Sequence, residues 1–178
     1  MKGIQYLTKA ADLLVERGHA FPFTVLGPGV PSADVAAAFS ERARPLVTVI
    51  DRADASRVLE EYRRHDLLVF PSSYEGFGLT VIEAMSQGLP VIATPVGCAA
   101  TLVRTGETGV QVPPRDATAI ADAIAGLMQS PAERRQLGEN AAREVASMSW
   151  RETARQTLEF YRKTLDRIRS AHTNGASA

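Results

Sequence analysis

The sequence is poor in cysteine and has no excess of charge of either sign. Its single cysteine, Cys98, excludes an internal disulfide and is typical of a protein from a reducing compartment. Lysine plus arginine and aspartate plus glutamate number 20 each. No overall field therefore attracts nucleic acid or an anionic membrane surface. We expect no nucleic-acid partner, and any anion site must be built from a few local groups.

Long apolar runs and metal-binding motifs are also absent from the sequence. No stretch approaches the ~18 apolar residues that span a bilayer. The opening MKGIQYLTKAADLL lacks the basic and then apolar build of a secretory signal. We therefore expect a cytoplasmic protein without a transmembrane segment. The sequence has no Asp-x-Asp motif and no cysteine or histidine cluster, so we expect neither a metal ion nor another cofactor.

The sequence does contain a regular alternation of short apolar runs and helical patterns. With 178 residues, 45% of them hydrophobic, the chain is long enough for one α/β core and short for two domains. Continuous apolar runs separated by helices indicate a parallel sheet covered on both faces. The predicted fold class is therefore α/β, a Rossmann-like doubly wound parallel sheet. The predicted strands are residues 21–29, 46–50, 67–71, 90–94 and 109–113.

Apolar spacing and capping signals predict the helices. The first helix opens the chain, and because a helix of a doubly wound fold normally follows a strand, a first strand is expected ahead of residue 1. Residues 1–169 are predicted to form one domain, with 149–169 as its last helix. The small, polar residues 170–178 are predicted to be a disordered tail. The predicted helices stop near Gly18, run from Ser32 to about Arg42, over 55–65 and from Thr80 to Gln87, and start at Asp116, Ser130 and Ser149.

Two glutamates flank a glycine-rich turn in the stretch YEGFGLTVIE. Glu83 has a purely structural explanation, because Thr80 and Glu83 have the spacing of a helix capping box. Glu75 has none, since it lies beside Gly76 and Gly78, where the backbone can approach a ligand closely. The first amides of the following helix favour a phosphate, while sugar hydroxyls donate to carboxylates. A nucleotide sugar carries both groups.

A longer run carries a resemblance to a known family. It begins with YRRHDLLVFPSSYEGFGLTVIEAMSQGLPVIATPVG and continues through TGETGVQVPPRD and MSWRETARQTLEFY. These segments, with two glutamates separated by seven residues, resemble the C-terminal donor-binding domain of the retaining family-four (group 1) glycosyltransferases of GT-B fold. The likeness covers residues 2–165.

The resemblance implies a role for each matching residue. Glu75 would contact the hydroxyls of the donor sugar at the reacting end, which makes it the catalytic candidate, and Glu83 would hold the ribose hydroxyls. Lys2 matches a lysine that neutralises the pyrophosphate, although by position it could be only a solvated terminal charge. The implied donor-binding residues are Lys2, Gly76, Phe77, Gly78, Leu79, Thr80 and Glu83.

Some residues depart from the family pattern. Asp51 replaces the usual glycine beside the nucleobase, and Cys98 stands in a segment that is often Gly-Gly and is interpreted as a small buried filler. The family's arginine and its strand have no match, and that strand is expected between the strands at 22–27 and 67–71. His65 lies in a helix-to-strand connection and is not a catalytic candidate.

The resemblance also implies partners and leaves alternatives. Glycosyl transfer would need an acceptor half, supplied by an N-terminal domain or a second chain, in addition to the nucleotide-sugar donor. Two other functions remain open at this point: a non-catalytic module that binds nucleotide sugars, and a remnant that binds no ligand.

Overall fold

The computed structural model describes residues 2–175, with side chains through residue 168. These residues fall into two compact units divided between Val145 and Ala146. None of the helices described is long and apolar enough to cross a membrane. The elements are α1 (Ile4–Glu16), β1 (Phe23–Leu26), α2 (Ser32–Ala37), a 3₁₀ turn (Arg44–Leu46), β2 (Val47–Ile50), α3 (Ala55–Arg64), β3 (Leu68–Phe70), α4 (Leu79–Ser86), β4 (Val91–Ala93), α5 (Ala99–Leu102), β5 (Gly109–Gln111), α6 (Ala117–Gln129), α7 (Pro131–Val145) and α8 (Trp150–Gly175).

The first unit is built on parallel strands covered by helices. β1 pairs with β2 from Phe23↔Val47 onward, and β4 lies between β3 and β5. Side chains alternate along β4. Val91 and Ala93 pack into a cluster with α4 and α7, whereas Ile92 packs on the opposite face with α1 and α6. The predicted α/β fold with helices on both faces is confirmed.

The strands form two sheets rather than one. Within residues 2–175, β1 pairs only with β2, and β3 pairs only with β4 and not with β1. A groove of about 260 Å³ lies between β1 and β3, lined mainly by apolar side chains that include Phe23, Leu26, Leu68, Val69 and Ile124. This groove occupies the position predicted for the additional strand.

His65 connects the two sides of this groove. Its Nδ1 lies 2.6 Å from the carbonyl oxygen of Glu61, which can only accept, so Nδ1 carries the proton. Nε2 is then the acceptor for the hydroxyl of Thr24 on β1, at 2.8 Å. The residue after α3 is thereby tied to β1, a structural role that agrees with its exclusion as a catalytic group.

Side-chain caps account for the starts of α6 and α8, as predicted, but not for the start of α2. Asp116 Oδ1 accepts from the amide of Ala119 at 2.9 Å, and Ser149 Oγ accepts from the amide of Glu152 at 3.1 Å, as predicted. Ser32 does not cap α2. It lies in the first turn after Pro31, and the helix ends at Ala37 rather than near Arg42.

The second unit contains α8. The helix begins where the sequence predicts, and the ion pair of Arg155 with Glu152 follows its surface at 2.6 Å. The helix continues to Gly175, beyond the predicted end at residue 169. Adding a residue to an existing helix costs little free energy compared with starting a helix. The remaining residues of the predicted disordered tail, 176–178, lie outside the described residues.

Candidate functional site

The predicted site residues gather at the carboxyl ends of β3 and β4. β3 ends at Phe70, a loop carries Glu75 to Gly78, and α4 starts at Leu79. In open parallel sheets, ligands bind in the crevice beyond the carboxyl ends of the strands. The glycine-rich turn and the start of α4 lie at such an end.

Lys2 and Glu75 form an ion pair in this region. Lys2 Nζ lies 2.6 Å from Glu75 Oε2, with side chains 75% and 17% exposed. Gly3 lets the chain start approach this loop, because a Cβ there would lie 1.9 Å from the carbonyl oxygen of Pro71. Gly3 also has a φ of 78°, in the left-handed region. The structure therefore brings together two predicted residues that are far apart in sequence.

The segment that follows β4 hydrogen-bonds the backbone of the turn after Glu75. The amide of Cys98 donates to the carbonyl oxygen of Phe77 at 2.6 Å, and the Cys98 thiol donates to the carbonyl oxygen of Gly78 at 3.3 Å. A Cβ at Gly97 would lie 2.4 Å from the same Phe77 oxygen. Two backbone segments therefore pack at a distance that only glycine permits.

Cys98 is a packing residue rather than a nucleophile. It is 7% exposed. Burial, and then the nearby charge of Glu75, raise the pKa of its thiol, which disfavours the reactive thiolate. The side chain stays protonated and can donate to Gly78. The interpretation of Cys98 as a small buried residue holds, but its position beneath the turn adds a supporting role.

The start of α4 differs from the predicted capping box. The N-cap is Gly78, with φ 93°, and no side chain caps the helix. Thr80 lies inside the first turn, so the capping box with Glu83 is not formed. The hydroxyl of Tyr62 instead donates to Glu83 Oε2 at 3.4 Å. The structural explanation for Glu83 is wrong, and its carboxylate is left available beside the uncapped helix start.

The uncapped start of α4 favours an anion. The first amides of a helix have no intrahelical acceptor and carry the positive end of the helix dipole. Leu79 and Thr80 occupy these positions, and Leu79 and Phe77 expose 49% and 55% of their surface. The surface at the turn is therefore open to a ligand.

Sequence reasoning missed three residues that support the site. The position of Tyr62 on the apolar face of α3 predicts an inward side chain and no more. Gly97 gave no signal beyond its residue type. Thr94, fully buried after β4, donates its hydroxyl to the carbonyl oxygen of Ser72 and so holds the loop after β3.

Asp51 is exposed directly after β2, a strand of the sheet formed by β1 and β2. Within the described part of the chain, no group of three or more histidine, cysteine, aspartate or glutamate side chains is arranged to hold a metal ion. The arrangement offers carboxylates, one lysine and helix amides.

Comparisons with known proteins identify the family of this chain. The family model of the group 1 glycosyl transferases matches residues 1–144. The chain is 36% identical over 171 residues to D-inositol 3-phosphate glycosyltransferase from Rhodococcus erythropolis, covering 92% of this chain and 39% of that protein. It is 34% identical over 177 residues to the protein of the same name from an Arthrobacter species, covering 97% and 42%.

Solved structures give the same result. Sucrose-phosphate synthase from Thermosynechococcus elongatus superposes with a TM-score of 0.74 at 32% identity, covering 93% of this chain and 43% of that one. The C-terminal domain of a group 1 glycosyl transferase from Francisella tularensis superposes with a TM-score of 0.68 at 27% identity, covering 82% and 78%.

The coverage of the relatives is partial, although the match to this chain is nearly complete. The chain spans 39% and 42% of the length of the two curated relatives described above. The predicted resemblance to a group 1 glycosyltransferase is confirmed by the family model and by both kinds of relative. The chain belongs to the group 1 glycosyltransferase family.

Proposed function

We propose that this chain is the donor-binding half of a retaining glycosyltransferase that uses a nucleotide-diphosphate sugar. The observation that carries the proposal is the convergence of Lys2 and Glu75 beside the uncapped start of α4. The ion pair measures 2.6 Å, and no side chain caps α4. A diphosphate needs positive potential and a sugar needs carboxylate acceptors, and Lys2, Glu75 and the start of α4 offer both beside the same turn.

Each group has a proposed task during transfer. The amides from Gly76 to Thr80 and the ammonium of Lys2 stabilise the charge that develops on the leaving diphosphate. Glu75, the proposed catalytic residue, accepts hydrogen bonds from hydroxyls at the reacting end of the sugar. Glu83 accepts from the ribose hydroxyls. The bond from the anomeric carbon to the phosphate oxygen breaks while a hydroxyl of the acceptor attacks the same face of that carbon and passes its proton to the departing phosphate oxygen, without a covalent enzyme intermediate and without a metal ion.

The acceptor is proposed to come from another half. The chain corresponds to less than half the length of the two D-inositol 3-phosphate glycosyltransferases described above, so an N-terminal acceptor domain or a second chain is the proposed partner. Membership of a family of transferases supports this function over a binding module or an inert remnant. Transfer is tested by combining the chain with donor, acceptor and a candidate N-terminal half, and the absence of transfer with every half would contradict it.

The donor site is tested by calorimetric titration with UDP, GDP and ADP. We expect one of them to bind with a dissociation constant in roughly the micromolar range. Glu83→Ala should weaken binding about tenfold or more, because hydrogen bonds to a charged carboxylate are lost. Glu139→Ala, at an exposed glutamate of α7, is the matched control and should bind as the unmodified chain. A folded chain that binds none of the three overturns the proposal.

A further inference from the structure

Tyr62 places a buried hydroxyl beneath the carboxylate of Glu83. The side chain is 8% exposed and packs in the cluster that contains Val81 and Met85 of α4. Its ring is therefore held by packing between α3 and α4. The hydroxyl oxygen lies 3.4 Å from Glu83 Oε2.

The chemistry of the two groups fixes the direction of this bond. An ionised carboxylate only accepts, so the tyrosine donates. Burial, and then the charge of Glu83, raise the pKa of Tyr62 to about 12. The hydroxyl therefore keeps its proton through the physiological pH range. A buried tyrosine hydroxyl needs a partner, and here that partner is an exposed carboxylate rather than a backbone group.

The contact uses only part of what Glu83 offers. A carboxylate has about four acceptor positions on its two oxygens, and Tyr62 engages one oxygen. The helix makes no use of this side chain, since α4 begins at Gly78 without a side-chain cap. Oε1 and the remaining positions of Oε2 can therefore accept two neighbouring hydroxyls, which is the pattern that a ribose diol presents.

A second bond keeps the two helices in register at this point. Arg63 Nε donates to Gln87 Oε1 at 2.8 Å. Arg63 follows Tyr62 in α3, and Gln87 is the residue directly after α4. The position of Tyr62 relative to Glu83 is thus set by packing below and by this bond at the surface.

We infer that Tyr62 is a positioning residue that orients the carboxylate of Glu83 to receive the ribose hydroxyls of the nucleotide. The inference rests on the proposed function, since it assumes that Glu83 meets the ribose. A glutamate on a helix surface samples several rotamers, and ordering it on binding weakens affinity. A hydroxyl held in the core orders the Glu83 side chain before the ligand binds, so less conformational entropy is lost on binding. Tyr62 thereby contributes to affinity without touching the ligand.

The test is Tyr62→Phe, which removes the hydroxyl and keeps the buried ring. The unmodified chain, Tyr62→Phe, Glu83→Ala and the double variant are titrated with the nucleoside diphosphate that binds best and with its 2′,3′-dideoxy form. Tyr161→Phe, at an exposed tyrosine of α8, is the matched control. Melting temperatures show that each variant is folded.

We expect Tyr62→Phe to weaken the ribonucleotide about three- to tenfold, a modest loss because the hydrogen bond is long. Affinity for the dideoxy form should change little, so the preference for ribose falls. A general packing defect would weaken both ligands equally. In the Glu83→Ala background, Tyr62→Phe should have no further effect, because the two residues act through one contact.

The outcomes separate the inference from the proposed function. If the unmodified chain binds a nucleotide and Glu83→Ala loses it, but Tyr62→Phe keeps the full ribose preference, the inference is overturned and the proposed function stands. An equal loss of both ligands in Tyr62→Phe also overturns it. If the unmodified chain binds no nucleotide, the proposed donor site fails and the inference fails with it.

Discussion

Lys2 and Glu75 form an ion pair that joins the start of the chain to the turn after β3. The distance between Nζ and Oε2 is 2.6 Å, and the ammonium also lies 6.0 Å from the centre of the Phe70 ring. Lys2 is mostly exposed, so the pair itself contributes little stability. The consequence of the pair is electrostatic. In the free protein Lys2, which is proposed to bind the phosphates, is already paired with Glu75, which is proposed to bind the sugar.

The first prediction concerns this competition. In Glu75→Gln the ammonium of Lys2 is released and a negative charge leaves the site, so a nucleoside diphosphate should bind roughly two- to fivefold more tightly. The same variant should lose transfer activity and any extra affinity for the nucleotide sugar over the nucleotide. Titration with both ligands measures the difference.

Lys2→Ala is the complementary variant. It should weaken diphosphate binding roughly fivefold, and the loss should shrink at high salt because the lysine is exposed. Weaker diphosphate binding in Glu75→Gln would show that the pair does not compete with the ligand.

The second prediction concerns the backbone contact beneath the turn. Gly97 has a φ of 55°, and a Cβ there would meet the Phe77 carbonyl oxygen at 2.4 Å. Gly97→Ala should therefore lower the free energy of unfolding by on the order of 2–3 kcal/mol. Chemical denaturation measures it.

Gly126→Ala is the control for the glycine substitution. Gly126 is exposed in α6, and a Cβ there would meet nothing within 4 Å. Because alanine has the higher helix propensity, this variant should be about 0.5–1 kcal/mol more stable than the unmodified chain. Equal stability of the two variants would mean that the Gly97 contact is not maintained in solution.

The third prediction is a pH dependence that arises from Tyr62. Its pKa is raised from 10.0 to about 12, so the folded state binds the proton more tightly than the unfolded state. The resulting stabilisation, on the order of 2 kcal/mol, is complete below pH 10 and is lost as the pH rises toward 12. Tyr62→Phe lacks this titration, so its stability should fall less between pH 9 and pH 11, as followed by urea unfolding.

Tyr161→Phe provides the comparison for that pH series. Because Tyr161 is 58% exposed, its replacement should leave the slope of stability against pH as in the unmodified chain. Identical slopes for all three proteins would contradict the raised pKa of Tyr62.

The fourth prediction concerns the groove between β1 and β3. Both strands face it with edges that no described strand pairs, and buried unpaired backbone groups are costly. An engineered extension of about five apolar residues ahead of Lys2, joined by a glycine, should pair with both edges and raise the melting temperature by about 5–10 °C.

An extension of the same length made of glycine and serine is the control. It has the same backbone but no apolar side chains to fill the groove, so it should leave the melting temperature unchanged. If both extensions behave alike, the groove does not accept a strand.

Most elements of the two units were predictable because their signals are local. Runs such as LLVFP and PVIAT, bounded by helical patterns, predict buried parallel strands. Asp116 and Ser149 predict the starts of α6 and α8 because both are good N-cap residues. Capping signals are less reliable where two nearby residues can both serve as the N-cap of a helix. Thr80 has the spacing of an N-cap, but the left-handed conformation of Gly78 starts α4 earlier.

The sequence by itself determined the α/β fold class and the two glutamates on either side of the glycine-rich turn, because periodicity and motif spacing are properties of neighbouring residues. Only the tertiary structure decided what those residues touch. Lys2 forms an ion pair with Glu75, and Gly97 and Cys98 pack against the backbone of the turn. The carboxylate of Glu83 accepts from Tyr62 instead of capping its own helix. These contacts join segments far apart along the chain, and their geometry follows from how the helices and strands pack, which no local pattern encodes.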